Sequence, residues 1–208
     1  MKQTFFITGI GTDVGKTLVS AILVEALQAD YWKPIQAGEL DNSDTKKVEG
    51  LISNSKTRFH QSAFELNTPA SPHAAAKIDG KTISVAKIKR PETKNNLVIE
   101  GAGGLLVPLN TKNTLLDLIE HTDTIIVVSR HYLGSINHTL LTIEHLKQHN
   151  FNNISIIFSG NENPSTENII ETMTKVKILG RIDNEPYFDK NVVLEYAEKF
   201  KNELTRKR

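Results

Sequence analysis

Short apolar runs alternate along this chain with longer stretches in which apolar residues recur at three- and four-residue intervals. The first run, residues 4–8, is aromatic-rich and stops at Gly9, which predicts a buried strand. In residues 17–29, Leu18, Ala21, Ile22, Val24 and Leu27 follow helical spacing. Tyr31-Trp32-Lys33-Pro34 reads as a short second strand that the proline ends. Residues 42–53 predict a helix with Asn42 or Ser43 at its N-cap. Between residues 55 and 95 the pattern weakens, broken by Pro69, Pro72, Gly80 and Pro91, with short helices expected over 73–78 and 84–89. Three more strands are expected at 97–100, 124–129 and 154–159, and helices at 114–121, 136–149 and 166–174. A last strand falls at 176–179. An amphipathic helix over 191–204 carries Val192, Val193, Tyr196, Phe200 and Leu204 on one side.

Strands alternating with helices imply an α/β fold, with a mostly parallel sheet covered by helices on both faces. The chain has 208 residues and no internal repeat or low-complexity tract, so one doubly wound domain spanning residues 1–208 is the economical reading. A chain of that size buries about 70% of its unfolded surface, enough for a substantial core.

Composition removes several classes. Lys and Arg total 25 against 24 Asp and Glu, a net charge of +1, which argues against a nucleic-acid partner. The tail Arg206-Lys207-Arg208 is basic, but Glu195, Glu198 and Glu203 dilute the preceding helix, which reads as packed on the sheet rather than on a membrane surface. There is no cysteine, hence no disulfide, thiolate metal site or cysteine nucleophile. No apolar stretch approaches the roughly 20 residues of a membrane helix, and the first residues do not form a signal peptide. A cytoplasmic location and no membrane partner are expected.

The candidate chemistry begins at Gly9-Ile10-Gly11-Thr12-Asp13-Val14-Gly15-Lys16-Thr17, which lies between a strand and a helix, where a phosphate-binding loop belongs. Glycines let backbone N–H groups close around phosphate oxygens, and the helix N-terminus adds unpaired donors. Lys16 is expected on the β- and γ-phosphates and the Thr17 hydroxyl on Mg²⁺. Ile10 stands where the strict pattern has glycine, and Asp13 brings a carboxylate that a cation or second substrate must offset. Glu100, at the end of the 97–100 run, suits the acidic partner of Mg²⁺, and Gly101-Ala102-Gly103-Gly104 after it lets backbone approach a nucleotide. Lys33, at a strand end, could neutralise a transferring phosphoryl group. Asp44 lies in a good helix start. His138, His145 and His149 fall on roughly one helix face and read as exposed or dimer-facing.

The phosphate loop, Trp32-Lys33-Pro34, Asn42-Ser43-Asp44, Ser71-Pro72-His73, Glu100-Gly101-Ala102-Gly103-Gly104 and Leu133-Gly134-Ser135-Ile136-Asn137-His138 occur in this order. As an ordered set they closely resemble the dethiobiotin synthetases, from about residue 4 to about residue 142. The resemblance implies an ATP-dependent ligase that joins CO₂ to 7,8-diaminononanoate. A carbamate would form on one amine and attack the γ-phosphate of ATP. The other amine would then close the ureido ring of dethiobiotin, releasing ADP and phosphate. It also implies roles for individual residues. Thr17, Asp44 and Glu100 would hold Mg²⁺, and Lys33, Lys16 and Thr12 would be catalytic. ATP would contact Asp13, Val14, Gly15, Lys16, Thr17, Leu18, Asp44, Glu100, Gly101, Ala102, Gly103, Ser159, Asp183, Asn184 and Glu185. The diamine or its carbamate would contact Thr12, Lys33, Ala37, Ser71 and Pro72. Members of the family are homodimers, so Gly134, Ser135 and Asn137 of one subunit would meet the substrate carboxylate held by the other. Three features depart from the family pattern: Ala37 lacks the usual hydroxyl, Phe158-Ser159-Gly160-Asn161 replaces the usual base-recognising asparagine, and Gly180-Arg181-Ile182-Asp183 replaces the usual turn. The alternative is a partitioning-type ATPase switch acting through protein or DNA. That class carries an extra lysine early in the loop, and residues 9–13 have none.

Overall fold

The computed structural model describes residues 2–205, so the tail Arg206-Lys207-Arg208 lies outside the described residues. In chain order the elements are strand β1 (Thr4–Gly9), helix α1 (Lys16–Leu27), strands β2 (Asp30–Trp32) and β3 (Ile35–Ala37), helix α2 (Asp44–Leu51), strands β4 (Phe59–His60) and β5 (Phe64–Leu66), helix α3 (Pro72–Ile78), strands β6 (Leu97–Gly104) and β7 (Thr124–Arg130), helix α4 (Ser135–Gln148), strand β8 (Ile154–Ser159), helix α5 (Pro164–Thr174), strand β9 (Lys177–Ile182) and helix α6 (Lys190–Thr205). Seven strands form one sheet in the order β4-β2-β6-β1-β7-β8-β9, and β3 pairs β5 separately. Every pairing between these strands is parallel.

The pleat divides runs that look uniformly apolar in sequence. Phe5, Ile7, Val98, Ile126, Val128 and Ile157 pack on one side with α1 and α6. Phe6, Leu97, Ile99, Ile125, Val127, Ile156 and Phe158 pack on the other with Ile143 and Leu146 of α4 and Ile170 of α5. Both faces of a parallel sheet are covered, so its strands need no polar alternation. No helix among the described residues is long and apolar enough to cross a membrane.

The order of the strands positions the site. Strand β6 inserts between β1 and β2, although 64 residues separate it from the end of β2. Its register sets Glu100 beside Ile7 of β1, and Ile99 beside Trp32 of β2. The residue after Trp32 is Lys33, so that lysine and Glu100 come to the same level.

The sequence reading misses three elements and misjudges others. Strands β3, β4 and β5 span only two or three residues, too few to show a period, and exist through their partners. The helices expected over 84–89 and 114–121 are short 3₁₀ turns, Val85–Lys87 and Leu115–Leu118. The second is stopped by Asp123, whose carboxylate accepts from the Glu120 N–H (2.9 Å) and from both guanidinium ends of Arg90 (2.7 Å each). Strand β6 does not end at Glu100 but continues to Gly104, with a register shift that brings Gly104 opposite Gly9. Glycine permits this: a Cβ on Gly101 would lie 2.6 Å from Leu115 Cδ2.

Candidate active site

Helix α1 starts without a side-chain cap. Its N-cap is Gly15, at φ 98°, and its first turn holds no acidic residue. The early N–H groups are therefore free for an anion. Asp13 also takes a left-handed conformation, φ 56°, and is exposed at the loop rim, while Arg130 Nη1 donates to its carbonyl oxygen (3.0 Å). Gly9 is sterically required, because a Cβ there would sit 2.6 Å from Val14 Cγ2. Lys16 is buried and its Nζ donates to the Gly11 carbonyl (2.8 Å), folding the lysine back over the loop.

Lys33 is only 4% exposed and is gripped from three sides. Its Nζ lies 2.6 Å from Asp44 Oδ2 and 2.9 Å from Glu100 Oε1, and donates to the Gly101 carbonyl at 3.1 Å. Thr17 Oγ1 donates to the same Glu100 oxygen at 2.9 Å, and the Tyr31 hydroxyl donates to Oε2 at 2.8 Å. Ser43 caps α2 by accepting from the Lys46 N–H, which fixes Asp44 in the first helical turn. The Gln36 amide oxygen accepts from the Asp44 N–H (3.2 Å), while its nitrogen donates to the Gly38 carbonyl (3.0 Å).

These charges shift one another. Burial, then the nearby Lys33 ammonium, lowers the Lys16 pKa to about 8, with Glu100, Asp44 and Asp13 opposing. For Lys33, burial alone would lower the pKa, but Glu100 and Asp44 outweigh it and raise it. Asp44 shows the converse: burial pushes it up, yet Lys33 holds it below the usual carboxylate range.

The cleft at these strand tips has a volume of about 870 Å³. Among its lining residues are Thr12, Asp13, Gly15, Lys16, Thr17, Leu18, Lys33, Ala37, Asp44, Ser71, Pro72, Glu100, Ala102 and Gly103. Phosphate loop, paired lysine and carboxylates, and the Ser71-Pro72 corner thus share one space. Thr17, Asp44 and Glu100 offer two carboxylates and a hydroxyl around Lys33 Nζ. That all-oxygen set suits Mg²⁺, which takes one or two carboxylates and completes its shell with water and phosphate.

A dethiobiotin synthetase of Christiangramia forsetii, ATP-dependent by its name, is 62% identical to this chain, covering 98% of it and 99% of the relative. An enzyme of the same name from Cytophaga hutchinsonii is 49% identical, covering 96% and 97%. The chain belongs to the ATP-dependent dethiobiotin synthetases. The family described as the AAA domain matches residues 3–192. Among solved structures, the MinC:MinD cell division complex of Aquifex aeolicus aligns with TM-score 0.60 at 14% identity, over 99% of this chain and 97% of that one. The pNOB8 ParA protein bound to nonspecific DNA aligns with TM-score 0.60 at 9% identity, over 99% and 100%. At such identities the likeness is one of fold. As a dethiobiotin synthetase the chain is an ATP-dependent ligase of biotin biosynthesis on a P-loop α/β scaffold.

Some residues named from the family resemblance lie outside the cleft. Val14 is buried beneath the loop, and Gly101 is buried within β6. Ser159, at the end of β8, faces Gly15 closely enough that a Cβ there would come within 3.1 Å of its Oγ. Asp183, Asn184 and Glu185 follow β9, on the same flank as Ser159. They are tied down locally: the Asn184 N–H donates to Asn161 Oδ1 (3.2 Å), Arg181 Nε to Asp183 Oδ1 (2.7 Å), and Tyr196 to Glu185 Oε1 (2.7 Å). Gly134, Ser135 and Asn137 begin α4, away from the cleft of their own chain.

Sequence reading did not single out Tyr31, Gln36 or Lys47. Tyr31 looks like one more core aromatic, and its partner lies 69 residues away. Lys47 lines the cleft, its Nζ 4.0 Å from Asp44 Oδ1. Its spacing of three from Asp44 on a predicted helix was a usable signal.

Proposed function

We propose that this enzyme carboxylates 7,8-diaminononanoate with CO₂ and closes the ureido ring at the expense of ATP, giving dethiobiotin, ADP and phosphate. The observation that carries the reading is Lys33, a buried ammonium shared by Asp44 and Glu100 at the mouth of an uncapped phosphate loop. Carbamate and triphosphate are both anions and repel one another. A site that joins them needs fixed cations in a largely desolvated space, where such charges act strongly.

Lys16 and the first N–H groups of α1 bind the phosphates. Lys33, raised in pKa and hence cationic, lines the same cleft as the loop and the Ser71-Pro72 corner, suited to the carbamate and the transferring phosphoryl. Thr12 lines the same wall. Thr17, Asp44 and Glu100 hold Mg²⁺, which supplies charge neutralisation on the phosphates. These residues position and neutralise, and no covalent enzyme intermediate is required. Ala37 presents backbone rather than hydroxyl to the substrate. Ser159 and residues 183–185 form the flank on which the base rests.

The same reading includes a homodimer. Leu133 projects fully into solvent beside the exposed Gly134, and Leu106, Tyr132 and Leu141 are further large apolar side chains left exposed. Helix α4 also begins uncapped after a left-handed glycine, with no acid in its first turn. A carboxylate bound in the partner's cleft would satisfy those N–H groups.

The test is direct. The protein, the diamine, bicarbonate, Mg²⁺ and ATP are mixed, and dethiobiotin is sought by mass spectrometry. Production of dethiobiotin with matching phosphate release is expected. Phosphate release indifferent to the diamine would overturn the ligase reading in favour of a partitioning-type ATPase switch.

A further inference from the structure

Tyr31 does not line the cleft. Its ring is completely buried against Phe59 in the core of the sheet, and its hydroxyl reaches out of that core to Glu100 Oε2 at 2.8 Å. Glu100 is itself 1% exposed. Its two oxygens are divided: Oε2 accepts only from Tyr31 among the hydrogen bonds seen, while Oε1 serves both Thr17 and Lys33.

A glutamate carboxylate turns freely about its last torsion, since that bond has no sharp rotamer wells. Without a fixed partner on Oε2, Lys33 could draw both oxygens toward itself, away from Thr17. A neighbour on the β-sheet is well suited to prevent this. Tyr31 sits on β2 beside Val98 of β6, so the strand pairing holds its ring while the hydroxyl holds the carboxylate. The cost of leaving a buried carboxylate oxygen unpaired keeps the bond closed.

We infer that Tyr31 is a positioning residue for the metal site: it locks Glu100 by Oε2 so that Oε1 is presented, beside the Thr17 hydroxyl, to the ion. This rests on the reading that Glu100 is a metal ligand, and it extends that site by one residue into the core. Partners of this kind, one step behind the ligands, orient them and tune their affinity.

The experiment measures Mn²⁺ binding by electron paramagnetic resonance in the presence of ADP, on full-length protein and on Tyr31→Phe, Glu100→Gln and the double variant. Tyr31→Phe is expected to weaken Mn²⁺ about tenfold, with metal-free ADP affinity unchanged. The Tyr31→Phe effect should vanish when Glu100 is already Gln, because coupled residues are not additive. A Tyr31→Phe protein that binds Mn²⁺ like wild type, while Glu100→Gln does not, overturns the role of Tyr31 and leaves the metal site standing. An equal Tyr31→Phe loss in both backgrounds reduces Tyr31 to a packing residue. Undiminished binding by Glu100→Gln removes both the metal assignment and the inference built on it. Should Tyr31→Phe not fold, the hydroxyl proton of Tyr31 in the wild-type protein serves instead. It should exchange slowly and shift on adding Mg²⁺ with ADP, and a resonance indifferent to Mg²⁺ overturns the inference.

Discussion

The depressed pKa of Lys16 makes nucleotide binding a proton-uptake reaction. Raising the pH from 7 to 9 is the perturbation. With a pKa of about 8, set by burial and then by the Lys33 charge, Lys16 is about nine-tenths protonated at the lower pH and about one-tenth at the higher. A bound triphosphate places several negative charges on the ammonium and restores its ordinary pKa, so only the protonated form binds well. Affinity should therefore fall about tenfold across this window, about 1.4 kcal/mol. Lys33 does not contribute, since its pKa is raised and it stays charged throughout. The last ionisation of a terminal phosphate, near about pH 6, lies below the window. Titration calorimetry with a non-hydrolysable ATP analogue, in two buffers of different ionisation enthalpy, reads both quantities. Uptake near one proton is expected at pH 9 and close to none at pH 7. A dissociation constant constant within about twofold and no proton uptake would refute the reasoning. Lys16→Arg, which keeps its charge, should abolish the pH dependence even where it weakens binding.

Three further outcomes follow from the packing. Lys33→Met leaves Asp44 and Glu100 without their cation; it should destabilise the protein by about 3–5 kcal/mol in urea denaturation and stop turnover. Asp44, now free of the ammonium that holds its pKa down, should take up a proton at higher pH, and an unchanged urea midpoint would count against the buried ion pair. Gly180→Ala would bring a Cβ within 2.5 Å of the Phe200 ring, costing about 1–3 kcal/mol of stability while turnover per folded molecule stays intact; a wild-type melting temperature would show that α6 can move aside. Leu133→Asp should leave the protomer as stable as before, because that side chain is fully exposed, yet yield a monomer by light scattering; an unaltered dimer would move the proposed interface elsewhere.

Local patterning carries the short-range signals. Residues 4–17 carry strand, glycine loop and helix start within one stretch, and each follows from rules that act over a few residues. The apolar runs gave the five long strands, and helical spacing gave α1, α4, α5 and α6. The ordered motifs were enough to name Lys16, Lys33, Asp44 and Glu100 and to match the family that the relatives bear out. Tertiary structure alone decided how those residues meet. No local rule inserts β6 between β1 and β2, since that choice is made by which strands bury each other's faces; yet it sets Glu100 beside Lys33, 67 residues away. The same pairing extends β6 through its glycines, because a register shift against β1 becomes visible only once both strands are in place. Tyr31 and Gln36 escaped notice for the same reason: a buried hydroxyl or amide declares its role through the partner it meets across the fold, and sequence neighbours say nothing about that partner.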